Sequence, residues 1–248
     1  MSVLLSADFR VEMGTEAGAQ LALLDGFTLA YRGTPGSLPL RAQRVLAFLA
    51  FQDRPMLRVY VAGRLWPDVT ESRAAGSLRS ALWCLGRLEF CVVVATPRTL
   101  QLAPNVAVDA REANAWAKRI LHGSAGFDEA DLDGARYPGE LLPDWYDDWV
   151  VLEREQLREL RLHALETLGD RLMSHERYGE AVEAALTVLR LEPLRDSAHR
   201  LLIRIHLAEG NHAEALRQYN GYRRRLLETL SLEPSHEMDE LVRDVTAG

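Results

Sequence analysis

The segment ESRAAGSLRSALWCLGRL, from Glu71 to Leu88, is where the architecture of this chain can first be worked out. At ~100° per residue it forms one amphipathic helix. Its apolar side consists of Ala75, Leu78, Leu82 and Leu85. Its other side carries small, polar and cationic residues, namely Arg73, Gly76, Ser77, Ser80, Trp83, Cys84 and Arg87. Such a strip is narrow enough to enter a DNA major groove, which predicts a recognition helix; a surface helix with solvated arginines is the alternative.

Length and composition indicate a globular protein with two domains. The chain has 248 residues, of which 48% are hydrophobic and 26% are charged. The first twenty residues lack the basic start of a signal peptide, and no apolar run reaches about 18 residues, so we expect a cytoplasmic protein without membrane contact. Cys84 and Cys91 are expected to be free thiols, because the cytosol disfavours disulfides.

The net charge of −7 is unevenly distributed. Residues 1–120 contain fourteen Lys or Arg against ten Asp or Glu, whereas residues 121–248 contain fifteen against twenty-six. Between Arg41 and Arg87, eight arginines are opposed by three acidic residues. Because salt confines electrostatic fields to ~10 Å, this basic stretch can attract phosphates while the acidic half repels them.

The elements around the predicted recognition helix are those of a winged helix. Residues 21–40 indicate short strands and tight turns, and residues 41–52 indicate a first helix. In the second helix, residues 57–66, the apolar side is Leu57, Val61 and Leu65. Residues 91–95 and 99–102 then form a hairpin with Arg98 at its tip, where it either reaches DNA or is an ordinary solvated turn residue.

The second half of the sequence is almost entirely helical. Residues 108–121 predict a helix, and residues 123–139, rich in glycine and acidic residues, predict a loop. A further helix is expected to start at Pro143-Asp144, with Asp147 and Asp148 also in its first turn, where carboxylates complement the helix dipole.

The sequence repeats itself near its C-terminus. RYGEAVEAALTVLRLEP, from Arg177 to Pro193, matches the segment from Asn211 to Pro234 with an offset of 34 residues, which is the tetratricopeptide period. The second copy is expected to contain a helix about two turns longer than the first. Small residues would let the paired helices approach closely, namely Ala181, Ala184, Ala185 and Ala215.

These features predict an α+β winged helix-turn-helix domain followed by an all-α tetratricopeptide-like domain. We place the first domain at residues 21–105 and the second at residues 106–248. Residues 1–20 form an arm to which no role is assigned.

Five segments, taken in their order, carry a family resemblance. They are LPLRAQRVLAFLA (Leu38 to Ala50), GRLWPD (Gly63 to Asp68), RAAGSLRSALWCLGRL (Arg73 to Leu88), VDAREANAW (Val108 to Trp116) and YPGELLPDWYDDWV (Tyr137 to Val150). From about Leu21 to its C-terminus the chain resembles the SARP family. These are antibiotic-pathway regulators of actinobacteria, in which an OmpR-type winged helix precedes a bacterial transcriptional activator domain (BTAD).

The resemblance implies a sequence-specific transcriptional activator, pathway-specific for secondary metabolism and without a catalytic step. Such an activator binds double-stranded promoter DNA as two protomers on tandem repeats, and it recruits RNA polymerase with its sigma factor. By position, the residues facing DNA would be Arg73, Ser77, Ser80, Trp83 and Arg87, with Arg98 on the wing. Cys84 and Gly86 depart from the family pattern, because relatives commonly carry arginine there.

Three other classes of function differ from this one: an enzyme, a protein-interaction module and a small-molecule sensor. The sequence contains no GxxxxGK[ST], GxGxxG, HExxH or GxSxG motif, so we expect neither an enzyme nor a cofactor. His199 and His206 share a helical face without a third ligand, so no metal is expected. The main alternative is a protein-interaction module with a weakened winged helix. A small-molecule sensor would use aromatic residues of the helical domain: Trp145, Tyr146, Trp149, Tyr219 and Tyr222.

Overall fold

The computed structural model describes residues 18–123, 128–135 and 139–246, with side chains to residue 243. The first seventeen residues of the predicted arm, and Tyr137 and Pro138 of the last family segment, lie outside these ranges. The described chain divides into two compact units, one of residues 18–22 and 27–108 and one of residues 23–26 and 109–246. A small sheet-and-helix unit is followed by a helical one, which confirms the predicted fold class.

The first unit combines two small sheets with three helices. In chain order its elements are β1 (Ala19–Ala22), β2 (Thr28–Tyr31), β3 (Thr34–Gly36), α1 (Leu40–Ala50), β4 (Met56–Leu57), α2 (Arg58–Leu65), α3 (Glu71–Leu85), β5 (Val93–Ala95), β6 (Thr99–Leu102) and β7 (Val106–Val108). One sheet has the order β3-β2-β1-β7, with β7 parallel to β1, and the other has the order β4-β6-β5. β1 begins inside the predicted arm.

The turn between β2 and β3 has the backbone conformation that joins two short antiparallel strands. Arg32 and Gly33 form a two-residue connection in which both φ angles are positive, at 50° and 77°. This left-handed pair matches the twist of the flanking antiparallel strands, and glycine adopts it without a steric cost. One of the tight turns predicted within residues 21–40 is thereby confirmed.

The second helix differs from its prediction at its first residue. Leu57 belongs to β4, where it pairs with Thr99, and it is 58% exposed. Helix α2 begins at Arg58 and buries Val61, Ala62 and Leu65. Leu57 was assigned to the helix by its four-residue spacing, but pairing with a strand 42 residues away decides its conformation.

The third helix differs from its prediction in its buried face and in its end. α3 buries Ala74, Leu78, Ala81 and Leu85, whereas Ala75 and Leu82 are half-buried. Small alanines face inward because α3 packs against both α1 and α2. The helix ends at Leu85 with Gly86 as its C-cap, so Arg87 is not part of it.

The second unit is a stack of helices. Its elements are α4 (Asp109–His122), α5 (Glu129–Ala135), α6 (Asp148–Ser174), α7 (Tyr178–Leu191), α8 (Asp196–Ala208), α9 (His212–Leu230) and α10 (His236–Thr246). No helix in the described ranges is both long and apolar enough to span a bilayer. The main core contains leucines of α6 together with the small residues of α7, including Ala181 and Ala185.

Two predictions for this unit are wrong. The loop predicted at residues 123–139 contains α5, which is anchored by tertiary bonds: Trp116 Nε1 donates to the Asp131 carbonyl at 2.9 Å, and Arg119 Nε donates to the Asp131 carboxylate at 2.9 Å. The helix predicted from Pro143 begins at Asp148 instead. The side chain of Arg154 donates to the carbonyls of Leu141, at 2.7 Å, and Trp145, at 2.9 Å, and so holds the preceding segment in an irregular conformation.

The internal repeat is confirmed in the backbone. α7 and α9 start 34 residues apart, and the residues before them, Arg177 and Asn211, share the same φ of −84° and ψ of 61°. Helix α9 has 19 residues and α7 has 14, so the difference is about 1.4 turns rather than two. The four small residues predicted at the helix contacts are all buried.

Candidate nucleic-acid interface

Helix α3 presents a strip of exposed residues on the side away from its buried face. We call Arg73, Ser77, Ser80 and Trp83 the α3 strip. Arg73 and Ser80 are exposed, Trp83 is 63% exposed, and Ser77 is half-buried. Because Ala74, Leu78, Ala81 and Leu85 fix the other side of the helix against α1 and α2, the orientation of the strip is set by the core.

Arg87 is joined to the α3 strip by Trp83. It lies beyond the helix, where Gly86 N–H closes the last turn on the Leu82 carbonyl at 2.8 Å. Its guanidinium carbon nevertheless lies 4.8 Å from the centroid of the Trp83 ring. A cation over an indole face is attracted by the ring quadrupole. The predicted helical spacing from Ser80 to Arg87 is therefore wrong, yet Arg87 lies against the strip.

The wing is the hairpin of β5 and β6. Thr96 Oγ1 accepts the backbone N–H of Thr99 at 2.9 Å and that of Arg98 at 3.2 Å, which closes the turn with Arg98 exposed at the tip. Arg58 fixes the same turn from α2: its N–H donates to the Arg98 carbonyl at 2.9 Å, and its Nη1 donates to the Thr96 carbonyl at 2.9 Å.

Arg58 and Arg41 belong to the basic stretch that is predicted to attract phosphates, but the sequence did not predict the contacts that they make. Arg58 holds the wing tip, and Arg41, in the first turn of α1, places Nη2 4.0 Å from the sulfur of Cys84 on α3. Both contacts join residues about forty positions apart. Arginine excess was the one sequence signal at these positions, and it does not specify a partner.

The charge of the first unit is strongly positive. Residues 27–108 contain ten arginines and four acidic residues, Asp53, Asp68, Glu71 and Glu89. Within the described part of the chain, no ion pair joins Arg73, Arg87 or Arg98 to a carboxylate. Three guanidinium groups are therefore available to an anionic partner such as a phosphate backbone.

The aromatic residues considered for a sensor pocket fall into two groups. Tyr219 and Tyr222 belong to one hydrophobic cluster with residues of α8 and α10, whereas Trp145, Tyr146 and Trp149 lie at or just before the start of α6. Tyr222 is buried, donates to Asp196 at 3.1 Å and stacks on His199 with 4.1 Å between ring centroids. Burial, followed by the charge of Asp196, raises the pKa of Tyr222 to about 12. Trp149 is also buried, whereas Tyr146 is 84% exposed.

Of the two histidines considered as metal ligands, His199 is held by hydrogen bonds, whereas the buried Nδ1 of His206 has no hydrogen-bond partner among the described residues. His199 is fully buried and lies between the Pro193 carbonyl, 3.0 Å from Nε2, and Gln218, 2.6 Å from Nδ1. Cys84 and Cys91 are free thiols. Among the residues that the structure describes, no group of three or more His, Cys, Asp or Glu side chains is arranged to hold a metal ion.

Comparisons with known proteins agree with this architecture. Residues 107–246 match the family model of the bacterial transcriptional activator domain. The chain is 29% identical over 147 residues to the regulatory protein AfsR of Streptomyces griseus, covering 57% of this chain and 14% of AfsR. It is 31% identical over 105 residues to AfsR of Streptomyces coelicolor, covering 42% and 11%. It therefore spans a small part of these relatives.

A solved structure shares the fold. Mycobacterium tuberculosis EmbR, in complex with a low-affinity phosphopeptide, superposes with a TM-score of 0.72 at 19% sequence identity. The match covers 94% of this chain and 66% of EmbR. The family model alone covers more than half of the chain, and the SARP resemblance read from the sequence is confirmed. The chain belongs to the family of the bacterial transcriptional activator domain, as a regulator of the SARP type.

Proposed function

We propose that this chain is a sequence-specific DNA-binding transcriptional activator in which the α3 strip enters the major groove. The observation that carries the proposal is the contact between Trp83 and Arg87. The Arg87 side chain extends the exposed face of α3 past its C-terminus, and within the described ranges its guanidinium has no carboxylate partner. The buried face of α3 packs against α1 and α2, which fixes the orientation of the helix. A rigid helix with an outward polar face is what reading of base edges requires.

Different residues in this interface would do different work. Ser77 and Ser80 offer hydroxyl groups that donate or accept hydrogen bonds, and Arg73 and Arg87 offer guanidinium forks that suit either a guanine edge or a phosphate. Arg98, held on the wing by Thr96 and Arg58, would contact the backbone or the minor groove of the same site. Phosphate contacts would position α3, and base contacts would select the sequence.

The helical unit would supply the protein contacts of the activator. Residues 121–248 hold eleven more acidic than basic residues, which disfavours broad contact with phosphates. We assign to this unit the surfaces that face a second protomer on tandem repeats and the RNA polymerase with its sigma factor. The chain would thereby act at promoters of a secondary-metabolite pathway, with no catalytic step of its own.

A protein-interaction module is the second candidate, and one observation favours it. Three leucines, Leu227 and Leu230 at the end of α9 and Leu232 just beyond it, are each 50% exposed or more. This group lies on the longer second copy of the repeat, and tetratricopeptide arrays typically bind proteins. In that case the helical unit would act on a partner regulator, and the winged helix would contribute little affinity for DNA.

A transcription assay distinguishes the two candidates. A DNA fragment selected by the purified protein is placed upstream of a −35 element, and transcripts made by purified RNA polymerase are counted with and without the protein. The proposal predicts more transcripts with the wild-type chain and basal levels with an Arg73→Ala/Arg87→Ala variant. Equal stimulation by that variant, or by wild type on a scrambled fragment, would support the interaction module.

A further inference from the structure

The helical unit contains two adjoining cavities that meet at one arginine. The first cavity, of about 580 Å³, lies among α5, α6 and α7, and the second, of about 340 Å³, lies between α6 and the segment at residues 139–141. Arg161, Leu191 and Gly139 line both. Each volume falls in the range of about 300 to 1,000 Å³ that is usual for small-molecule sites.

Arg161 differs from the other arginines around these cavities in having no hydrogen bond or ion pair to any residue that the structure describes. Arg158 pairs with Glu155 at 2.7 Å, Arg177 pairs with Glu180, and Arg190 donates to Thr187 at 2.6 Å. For Arg161, no hydrogen bond or ion pair occurs within the described ranges, and its Nε is buried. Burial lowers the pKa of Arg161, and the charge of Asp25 only partly opposes this.

A desolvated, unpaired guanidinium is costly to the fold. A guanidinium stays protonated under ordinary conditions, so Arg161 carries its positive charge into this desolvated site. A bound anion would offset the free-energy cost of burying that charge. The second cavity is lined by apolar side chains, including Leu24, Leu141 and Leu157, and by four charged residues besides Arg161, namely Glu140, Arg154, Arg158 and Glu192. Glu140 pairs with Arg154 at 3.2 Å and Glu192 pairs with Arg158, so Arg161 is the charged lining residue left without an ion pair within the described ranges. Apolar side chains around a convergent charged group are the usual composition of a ligand site.

From this juxtaposition we propose that the helical unit binds a small organic anion, with its apolar body among Leu24, Leu141 and Leu157 and its carboxylate or phosphate on Arg161. A carboxylate that accepts two hydrogen bonds from the guanidinium fork would satisfy Nε. The leucines would exclude water from the pair and so strengthen it. This site goes beyond the proposed function, because it needs neither DNA nor RNA polymerase.

The test is calorimetric titration of the full chain with octanoate, without DNA. Octanol serves as the neutral probe of the same length, and acetate as the charged head alone. The proposal predicts one octanoate per chain, bound at least about tenfold more tightly than octanol or acetate. Absence of octanoate binding, or equal binding of octanol, would overturn it.

Two variants locate the site. Arg161→Gln is expected to weaken octanoate binding by about tenfold or more and to leave octanol unchanged, because it removes the charged partner but not the apolar lining. Arg224→Gln, which removes the same charge from an exposed position on α9, serves as the control and keeps wild-type affinity. Wild-type octanoate affinity in Arg161→Gln would contradict the assignment.

Thermal unfolding separates binding from a structural role. Without ligand, Arg161→Gln should unfold at the same temperature as wild type or higher, since a charge without a partner has been removed. Octanoate should raise the unfolding temperature of wild type but not that of the variant. A variant that unfolds below wild type in the absence of ligand would make Arg161 a structural residue and would overturn the proposal.

Discussion

The guanidinium carbon of Arg87 lies 4.8 Å from the centroid of the Trp83 ring, although Gly86 ends the helix between them. Trp83 is 63% exposed, so this contact is formed at the surface, where a cation and an indole attract each other by about 0.5 to 1 kcal/mol. The pair restricts Arg87 to the face of α3 that carries Arg73 and Ser80. A large exposed indole therefore has a positioning role at the proposed DNA surface.

This relationship predicts coupled effects on DNA affinity. Arg87→Ala should weaken binding to a selected site by about 1 to 3 kcal/mol if the guanidinium reads a guanine. Trp83→Ala should weaken it by less, and the double variant should lose less than the sum, because Trp83 acts partly through Arg87. Fluorescence anisotropy with labelled duplexes measures all four affinities, and strictly additive losses would show that the two residues act independently.

A phosphate role for Arg73 predicts a change in salt dependence. If Arg73 contacts a phosphate, Arg73→Gln should weaken binding to all sequences alike and lower the slope of log K against log salt by about 0.9. Arg224→Gln on α9 removes an equal charge and should leave that slope as in wild type. Anisotropy titrations at several salt concentrations give the slopes, and an unchanged slope for Arg73→Gln would remove this residue from the phosphate contacts.

Asp109 is expected to hold the segment at residues 23–26 in the helical unit. Its carboxylate accepts backbone N–H groups from Leu23 at 2.9 Å, Leu24 at 3.1 Å and Ala110 at 2.6 Å. Asp109→Ala leaves these donors unpaired, which costs about 1 to 3 kcal/mol. Amide hydrogen exchange should therefore become faster at Leu23 and Leu24. Asp109→Asn retains one acceptor and serves as the milder comparison; unchanged exchange in both variants would exclude this role.

The buried His199 predicts a loss of stability in acid. Burial lowers the pKa of His199, with Arg225 acting in the same direction and the Pro193 carbonyl and Asp196 opposing. Below about pH 6.5 the His199 imidazole is protonated in the unfolded chain but stays neutral in the folded chain. The free energy of unfolding therefore falls as pH decreases. Above that pH the neutral His199 makes its full contribution to the free energy of unfolding. Protonation of Nδ1 would also break its hydrogen bond from Gln218.

A variant that lacks His199 provides the control for this pH effect. His199→Phe should be less stable overall, because it loses both ring hydrogen bonds, but its stability should fall less steeply between about pH 7 and pH 5. Urea unfolding at a series of pH values measures these slopes, and a slope in His199→Phe equal to that of wild type would contradict the assignment.

Sequence periodicity predicted most elements, and it was wrong where tertiary contacts decided the local structure. The 34-residue repeat predicted the positions of α7 and α9 because each copy buries the same small residues against its neighbour. Leu57 and residues 129–135 were assigned incorrectly, because a remote strand and the Arg119–Asp131 contact determine their conformations. Local spacing carries no information about either partner.

The candidate interface was only partly readable for the same reason. The helical spacing of apolar and polar residues predicted which side of α3 faces outward. The buried residues differ from the predicted ones, because α1 and α2 approach α3 so closely that Ala74 and Ala81 are buried instead of Ala75 and Leu82. The roles of Arg58 at the wing tip and of Arg161 between two cavities depend on partners, or on the lack of them, that only the folded chain reveals.

The most direct test of the central claim is a genome-wide selection of DNA fragments by the purified chain at two salt concentrations, with the Arg73→Ala/Arg87→Ala variant run in parallel. The account predicts a tandem motif with about 10 to 11 base pairs between repeats, a steep loss of binding at the higher salt concentration and no enrichment by the variant. Recovery of no motif by the wild-type chain, or of the same motif by the variant, would contradict DNA reading by α3.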